Sequence, residues 1–212
     1  MKRKALILAG GWPGHHPESI ADLFQADLAT AGFNVQVEKS LDPLADASLP
    51  TYDLIFPCWT MGQLTDVQSK GLQAAVRSGS GLGGIHGGMG DAFRGNLDYE
   101  WMVGGHFVGH PHVGDYTVRL RVIGDEITEG MPEEFPYRSE QYYMMVDPGI
   151  RVLAETVYTY EGHTCAMPVV WTKQWGAGRV FYNALGHDPK EFLDHPHVRQ
   201  MTVRGLLWAA RS

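Results

Sequence analysis

The sequence predicts an α/β fold: a mostly parallel sheet covered by helices on both faces, with an antiparallel hairpin late in the chain. Three observations carry this. Short apolar runs alternate with segments of helical periodicity over residues 4–85, in the order β-α-β-β-α-β. The stretch GLGGIHGGMG, residues 81–90, has six glycines in ten positions and reads as a tight strand-to-helix turn. Further on, two strand-like segments flank Gly176-Ala177 and read as a hairpin.

The first strand is Lys4–Gly10, an apolar run ended by glycine. Pro17 and Glu18 suit a first helical turn, and Ile20, Leu23, Phe24, Leu28 and Ala31 follow at helical spacing until Gly32. Asn34–Glu38 alternates as a second strand, and Tyr52–Trp59 is a third. Thr65-Asp66-Val67-Gln68 reads as a capping box, opening a helix that carries Leu72, Ala75 and Val76 towards Gly79. Gly81–Ile85 is a short fourth strand.

Residues 91–115 are rich in Gly, His and aromatics and lack clean periodicity. Tyr116–Ile123 alternates as a strand, 124–150 reads as loop with Pro132, Pro136 and Pro148, and Arg151–Thr156 is another strand. Pro168–Trp175 and Gly178–Leu185 form the hairpin, and a last helix starts near Pro196 with Val203, Leu206, Leu207 and Ala210 as its apolar stripe. No repeat, linker or low-complexity tract interrupts the chain, so residues 1–212 are read as a single domain.

Composition narrows the function. A chain of 212 residues buries roughly 70% of its unfolded surface and needs no staples. The net charge of −7 argues against nucleic-acid and membrane-surface binding, which need a positive field. Two cysteines, Cys58 and Cys165, make no disulfide framework. The apolar run after Lys2-Arg3-Lys4 is too short for a signal peptide, and no run reaches membrane-spanning length, so the expected location is the cytoplasm. No G-x-G-x-x-G or G-x-x-x-x-G-K-[ST] motif is present, so no nucleotide cofactor is expected.

Ten histidines invite a metal or acid–base reading. In open α/β sheets ligands bind at the C-terminal ends of the strands, and that rule selects His15-His16, Cys58-Trp59, His86 and His187-Asp188. His86 stands at the elbow where many hydrolases place a nucleophile; flanking glycines let the backbone turn and a ligand approach. His187 is a ligand or base candidate, and Asp188 either orients it or caps the helix begun by Pro189. His15 is preferred over His16. Glu140, in RSEQYY, is a carboxylate ligand or general base on a segment able to fold over the site. Trp59, Tyr142 and Tyr143, with Trp12 and Trp101, offer rings for stacking on a sugar. His106 and His110 are secondary candidates, because Gly109 and Pro111 disfavour the helix that His-x-x-x-His ligation needs. Cys58 lacks the glycine pattern of an elbow and reads as a buried thiol.

The chain resembles the trehalose-utilisation, or ThuA-like, proteins, whose fold is similar to that of class I glutamine amidotransferases. The resemblance rests on GLGGIHGG after the fourth strand, GGHFVGHP at 104–111, SEQYY at 139–143, PVVW at 168–171 and GAGRVFYNALGHD at 176–188. It implies a flavodoxin-like three-layer α/β/α sandwich and a role in catabolism of trehalose-related sugars through keto-sugar intermediates. Amidotransferases carry a cysteine at the elbow; here His86 occupies it, so glutaminase chemistry is not expected.

The leading expectation is a sugar-processing hydrolase, lyase or isomerase that uses a divalent ion, zinc or manganese. His15, His86 and His187 would hold the ion, Glu140 could join them, and Glu140 or Asp188 would move the proton. Trp59, His106, His110, Tyr142 and Tyr143 would contact the sugar. Metal affinity should fall with pH through the imidazole range near about 6.5. The alternative is a non-catalytic sugar-binding or regulatory protein, and a cysteine hydrolase using Cys58 ranks third. A homodimer is compatible with the sequence.

Overall fold

Lys4–Gly11 forms the first strand (β1), and its residues Ala5–Leu8 are fully buried. The structure, a computed structural model, describes residues 2–211. A 3-10 turn at Pro13–His15 leads into helix α1, Pro17–Thr30, which buries Ile20, Ala21, Phe24 and Leu28. Strands β2 (Asn34–Glu38) and β3 (Leu54–Thr60) follow, then helix α2, Asp66–Arg77. The capping box at its start is present: the Gln68 N–H bonds the Thr65 hydroxyl, and the Gln68 side chain accepts from the Thr65 N–H. Strand β4 (Gly81–Ile85) runs directly into the short helix α3, His86–Gly90.

The middle of the chain departs from expectation. Leu97–Val103 is a helix (α4), with Asn96 accepting the Tyr99 N–H at its start. Gly105–Leu120 and Glu134–Val146 are long strands, β5 and β6; the expected strand at Tyr116–Ile123 is the end of β5, stopping at Leu120, while the rest of β5 falls in the stretch read as aperiodic and β6 in the expected loop. Register shifts between Phe107 and Gly109, and again between Gly109 and His112, break the period-two pattern of β5. Pro136 hides β6, although Phe135, Tyr137 and Ser139 face inward at strand spacing. Strands β7 (Arg151–Tyr160), β8 (His163–Trp175) and β9 (Gly178–Asn183) complete the sheet, and the last two form the expected hairpin around Gly176-Ala177. Helices α5 (Pro189–Asp194) and α6 (Pro196–Ala209) end the described chain.

All nine strands join one sheet in the order β2-β1-β3-β4-β9-β8-β7-β5-β6. The first five pair parallel, and every pairing from β9 onward is antiparallel. The sheet is therefore mixed, and the expectation of a mostly parallel sheet fails. The cause is the long antiparallel pairing of β5, of which only the end was expected, with the unexpected β6 on the far side of the hairpin.

Helices cover both faces of the parallel half. Phe181 packs under Gly205 of α6, whereas the adjacent Tyr182 points the other way and donates its hydroxyl to the carbonyl of His86 in α3. Phe24 of α1 joins the α6 side through ring contacts with Phe56 and Phe192. No helix among the described residues is long and apolar enough to cross a membrane.

Candidate metal centre

Three histidines arrive from three parallel strands. His15 ends the turn after β1, His86 follows β4, and His187 follows β9. The parallel register brings all three to one edge of the sheet. Glu140, on β6, reaches over that edge from the antiparallel half. One ligand atom from each of the four lies within 4.8 Å of every other.

His86 is held in a costly conformation. Its φ is +40°, in the left-handed region that a branched or bulky residue rarely enters. Its ring is buried, donates from Nδ1 to the Ala184 carbonyl at 2.8 Å, and stacks on Tyr142 with ring centres 4.0 Å apart. The Nδ1 bond leaves Nε2 as the lone-pair atom, and that atom faces Glu140 Oε2 at 3.2 Å. Burial pushes the imidazole down to about 4, so the ring is neutral at ordinary pH.

The other donors converge in the same way. His15 Nδ1 lies 2.7 Å from Thr60 Oγ1, and its Nε2 lies 3.8 Å from Glu140 Oε2. His187 Nδ1 is buried and lies 3.4 Å from the same oxygen. Hydrogen bonding to Glu140 raises the His187 imidazole against the opposing effect of burial. Burial alone would raise the Glu140 carboxyl, but His15, His187 and His86 outweigh it and hold it well below the usual carboxylate range.

Where His86 Nε2 carries no proton, it and Glu140 Oε2 are two acceptors facing each other at 3.2 Å, an arrangement that a proton or a metal ion between them relieves. Ligand bonds of about 2.0–2.1 Å place tetrahedral vertices about 3.4 Å apart, close to the separations from Glu140 Oε2 to the three rings. The four ligand atoms spread over up to 4.8 Å, and three imidazoles with one carboxylate form a group that could hold a divalent ion.

The remaining sequence candidates fall in several places. His110 Nε2 lies 3.5 Å from Glu140 Oε1, on the carboxylate's other side, and Tyr142 shields His86. Tyr143 points to the opposite face of β6 and packs on Tyr158, away from the histidines. His106 pairs instead with Glu100 at 3.4 Å. Trp59 packs against Gly10, where an added Cβ would come within 2.5 Å of the ring. Asp188 caps α5 by accepting the Lys190 N–H at 2.8 Å and lies 3.5 Å from His16 Nε2. Cys58 is buried beside Gly88, and burial raises its thiol far above the usual range. Sequence reasoning missed Thr60, the partner of His15, and Glu191, which binds the His187 backbone; neither carries a motif.

Two predictions arise here. Gly87 leaves room for the His15 ring: a Cβ there would lie 2.2 Å from His15 Cε1. Gly87→Ala should displace His15 and weaken zinc binding by about 10–100-fold, read by competition titration, with the far-ultraviolet spectrum unchanged. Cys165 is exposed and Cys58 is not. A thiol reagent should label Cys165 alone in the native protein and both cysteines after denaturation, as mass spectrometry would show.

The family model for ThuA, trehalose utilisation, matches residues 4–209. The chain belongs to the ThuA family. Among solved structures, a ThuA-like protein from Bacteroides uniformis superposes with a TM-score of 0.80 at 18% identity, covering 98% of this chain and 91% of that one. A ThuA-like protein from Parabacteroides merdae gives 0.75 at 17% identity, covering 99% and 90%. A β-galactosidase from Rahnella sp. gives 0.58 at 16% identity; the match spans 99% of this chain but 30% of the enzyme. At these identities the likeness is one of fold: the ThuA architecture also occurs as part of a larger protein. A search of curated proteins gives no match.

Proposed function

We propose that this ThuA-family protein is a metal-dependent enzyme of carbohydrate catabolism acting on a keto-sugar related to trehalose, as a hydrolase, lyase or isomerase. The observation that carries the reading is the convergence of His15, His86, His187 and Glu140 within 4.8 Å, with His86 Nε2 and His187 Nδ1 turned towards the carboxylate. The family's description, trehalose utilisation, supports a sugar as substrate.

Three imidazoles and a carboxylate suit zinc or manganese. A divalent ion held by these residues would supply Lewis acidity towards a carbonyl or hydroxyl oxygen of the sugar. The chain's own residues do the rest. Tyr142 and Phe107, with ring centres 4.4 Å apart, wall the site with apolar surface and limit water around His86. His110, more than one-third exposed and beside Glu140 Oε1, stands where it can bond a substrate hydroxyl. Glu140 or Asp188 would accept or return the proton; Asp188 also steadies the loop that carries His187 by capping α5. Trp12, partly exposed and 4.7 Å from the His15 ring, offers a face for stacking on the sugar. The elbow holds a neutral histidine and the nearby thiol is buried, so the reading does not include acyl transfer through cysteine.

Chelator-treated protein should turn over keto-disaccharides only after zinc or manganese is restored. Equal turnover with and without the ion would overturn the reading. At an ion concentration about a hundredfold above Kd, binding should add about 2.7 kcal/mol of stability. That corresponds to a melting temperature roughly 5–10 °C higher than in the chelated protein. An unchanged melting temperature would count against the site.

A further inference from the structure

We infer that Glu191 is a positioning residue that fixes Glu140 and His187 relative to one another; this rests on the metal reading above. Glu140 and His187 come from different halves of the sheet, and neither backbone alone sets their separation. Glu191 lies in the first turn of α5 and joins the two segments. Its Oε2 accepts from the Tyr137 hydroxyl at 2.7 Å and from the backbone N–H of His187 at 3.2 Å. Its Oε1 accepts from the Ser139 hydroxyl at 2.8 Å. Tyr137 and Ser139 are two residues apart on β6 and share a face, and Glu140 is the next residue. One carboxylate therefore grips the strand immediately before Glu140 and the backbone of His187 itself.

Three features separate this from an ordinary surface glutamate. The two side-chain donors are buried: Tyr137 is 1% exposed and Ser139 9%. No Lys or Arg among the described residues pairs with Glu191, so it serves as an acceptor for converging hydrogen bonds. The Tyr137 ring is backed by His195 at 4.7 Å, at the far end of α5, so the helix is fastened to β6 at both ends. Removing the carboxylate frees the ligand-bearing loop from the ligand-bearing strand without altering any ligand side chain.

The role needs acceptor geometry more than charge. A glutamine can accept from Tyr137 and the His187 N–H with its carbonyl oxygen, and donate to the Ser139 oxygen with its amide. Alanine can do neither. The test uses the full chain and zinc ions alone, titrated against a chromophoric chelator at a temperature where every variant is folded. Glu191→Ala should bind zinc about 10–100-fold more weakly than wild type, Tyr137→Phe should fall between them, and Glu191→Gln should stay within about threefold of wild type. A merely structural role would lower the melting temperature of metal-free Glu191→Ala and leave zinc affinity unchanged, which would overturn the inference. Equal losses in Glu191→Gln and Glu191→Ala would overturn it too, since charge would then be the determinant. Should His86→Ala bind zinc as tightly as wild type, the metal reading itself falls and the positioning role falls with it. Zinc affinity that depends on His86 but not on Glu191 overturns the positioning role alone.

Discussion

His86→Ala should bind zinc at least about a hundredfold more weakly than the wild-type chain. Zinc held by four ligands in small peptides releases about 10–16 kcal/mol on binding, which puts a ligand's share at about 3 kcal/mol, and each 1.4 kcal/mol is tenfold. The loss should be selective for binding. His86 is buried, but its ring donates only to the Ala184 carbonyl, faces Glu140 Oε2 across 3.2 Å and stacks on Tyr142. Its backbone stands at φ +40°, and that strain remains with alanine. Glycine relieves it, so His86→Gly should be more stable than His86→Ala while binding metal as poorly. The expected pattern is therefore two variants with the same zinc defect and different denaturation midpoints. A zinc affinity within about threefold of wild type in either variant would remove His86 from the ligand set.

The largest effect on stability is expected from Trp171→Ala. Trp171 is completely buried in β8, donates from Nε1 to the Val103 carbonyl at 2.9 Å, and packs on Tyr182 with ring centres 4.4 Å apart. Truncation removes the ring, leaves a cavity and strands the carbonyl at the end of α4. Together these cost about 3–5 kcal/mol. A chain of this size has a urea slope of about 2–3 kcal/mol per molar, so the midpoint should fall by about 1–2 M. The effect should reach the site as well. Tyr182 donates its hydroxyl to the His86 carbonyl, and without Trp171 the Tyr182 ring loses the wall that holds it. Zinc affinity should drop severalfold alongside the loss of stability. A midpoint shift below about 0.3 M would mean that the packing here is much looser than the burial implies.

The parallel half of the sheet was legible because its strands are apolar runs closed by glycine or a capped helix, apart from Asn34–Glu38, which shows by alternation. Lys4–Gly10, Asn34–Glu38 and Gly81–Ile85 read nearly to the residue. The antiparallel half was obscured for physical reasons. Register shifts in β5 put consecutive residues out of phase, and Pro136 makes β6 look like a loop although its neighbours alternate. The consequence was a mostly parallel sheet in the sequence reading and a mixed one in the structure.

The candidate site divides along the same line. His15, His86 and His187 stand out because strand ends in a parallel sheet share an edge. Glu140 is on the strand that was not recognised, and only its place in SEQYY singled it out. Tyr142 and Tyr143 look alike in sequence, but strand alternation sends one to the His86 ring and the other to Tyr158. Glu191 gives no signal at all: an acidic residue in a first helical turn is expected at the surface, and only the fold brings Tyr137, Ser139 and the His187 backbone to it.

Anomalous diffraction from crystals soaked in zinc tests the central claim most directly. The expected result is a single strong peak about 2.0–2.2 Å from His15 Nε2, His86 Nε2, His187 Nδ1 and a Glu140 oxygen. A site without a peak, in crystals where zinc binds only at exposed histidines such as His163 or His112, would contradict it.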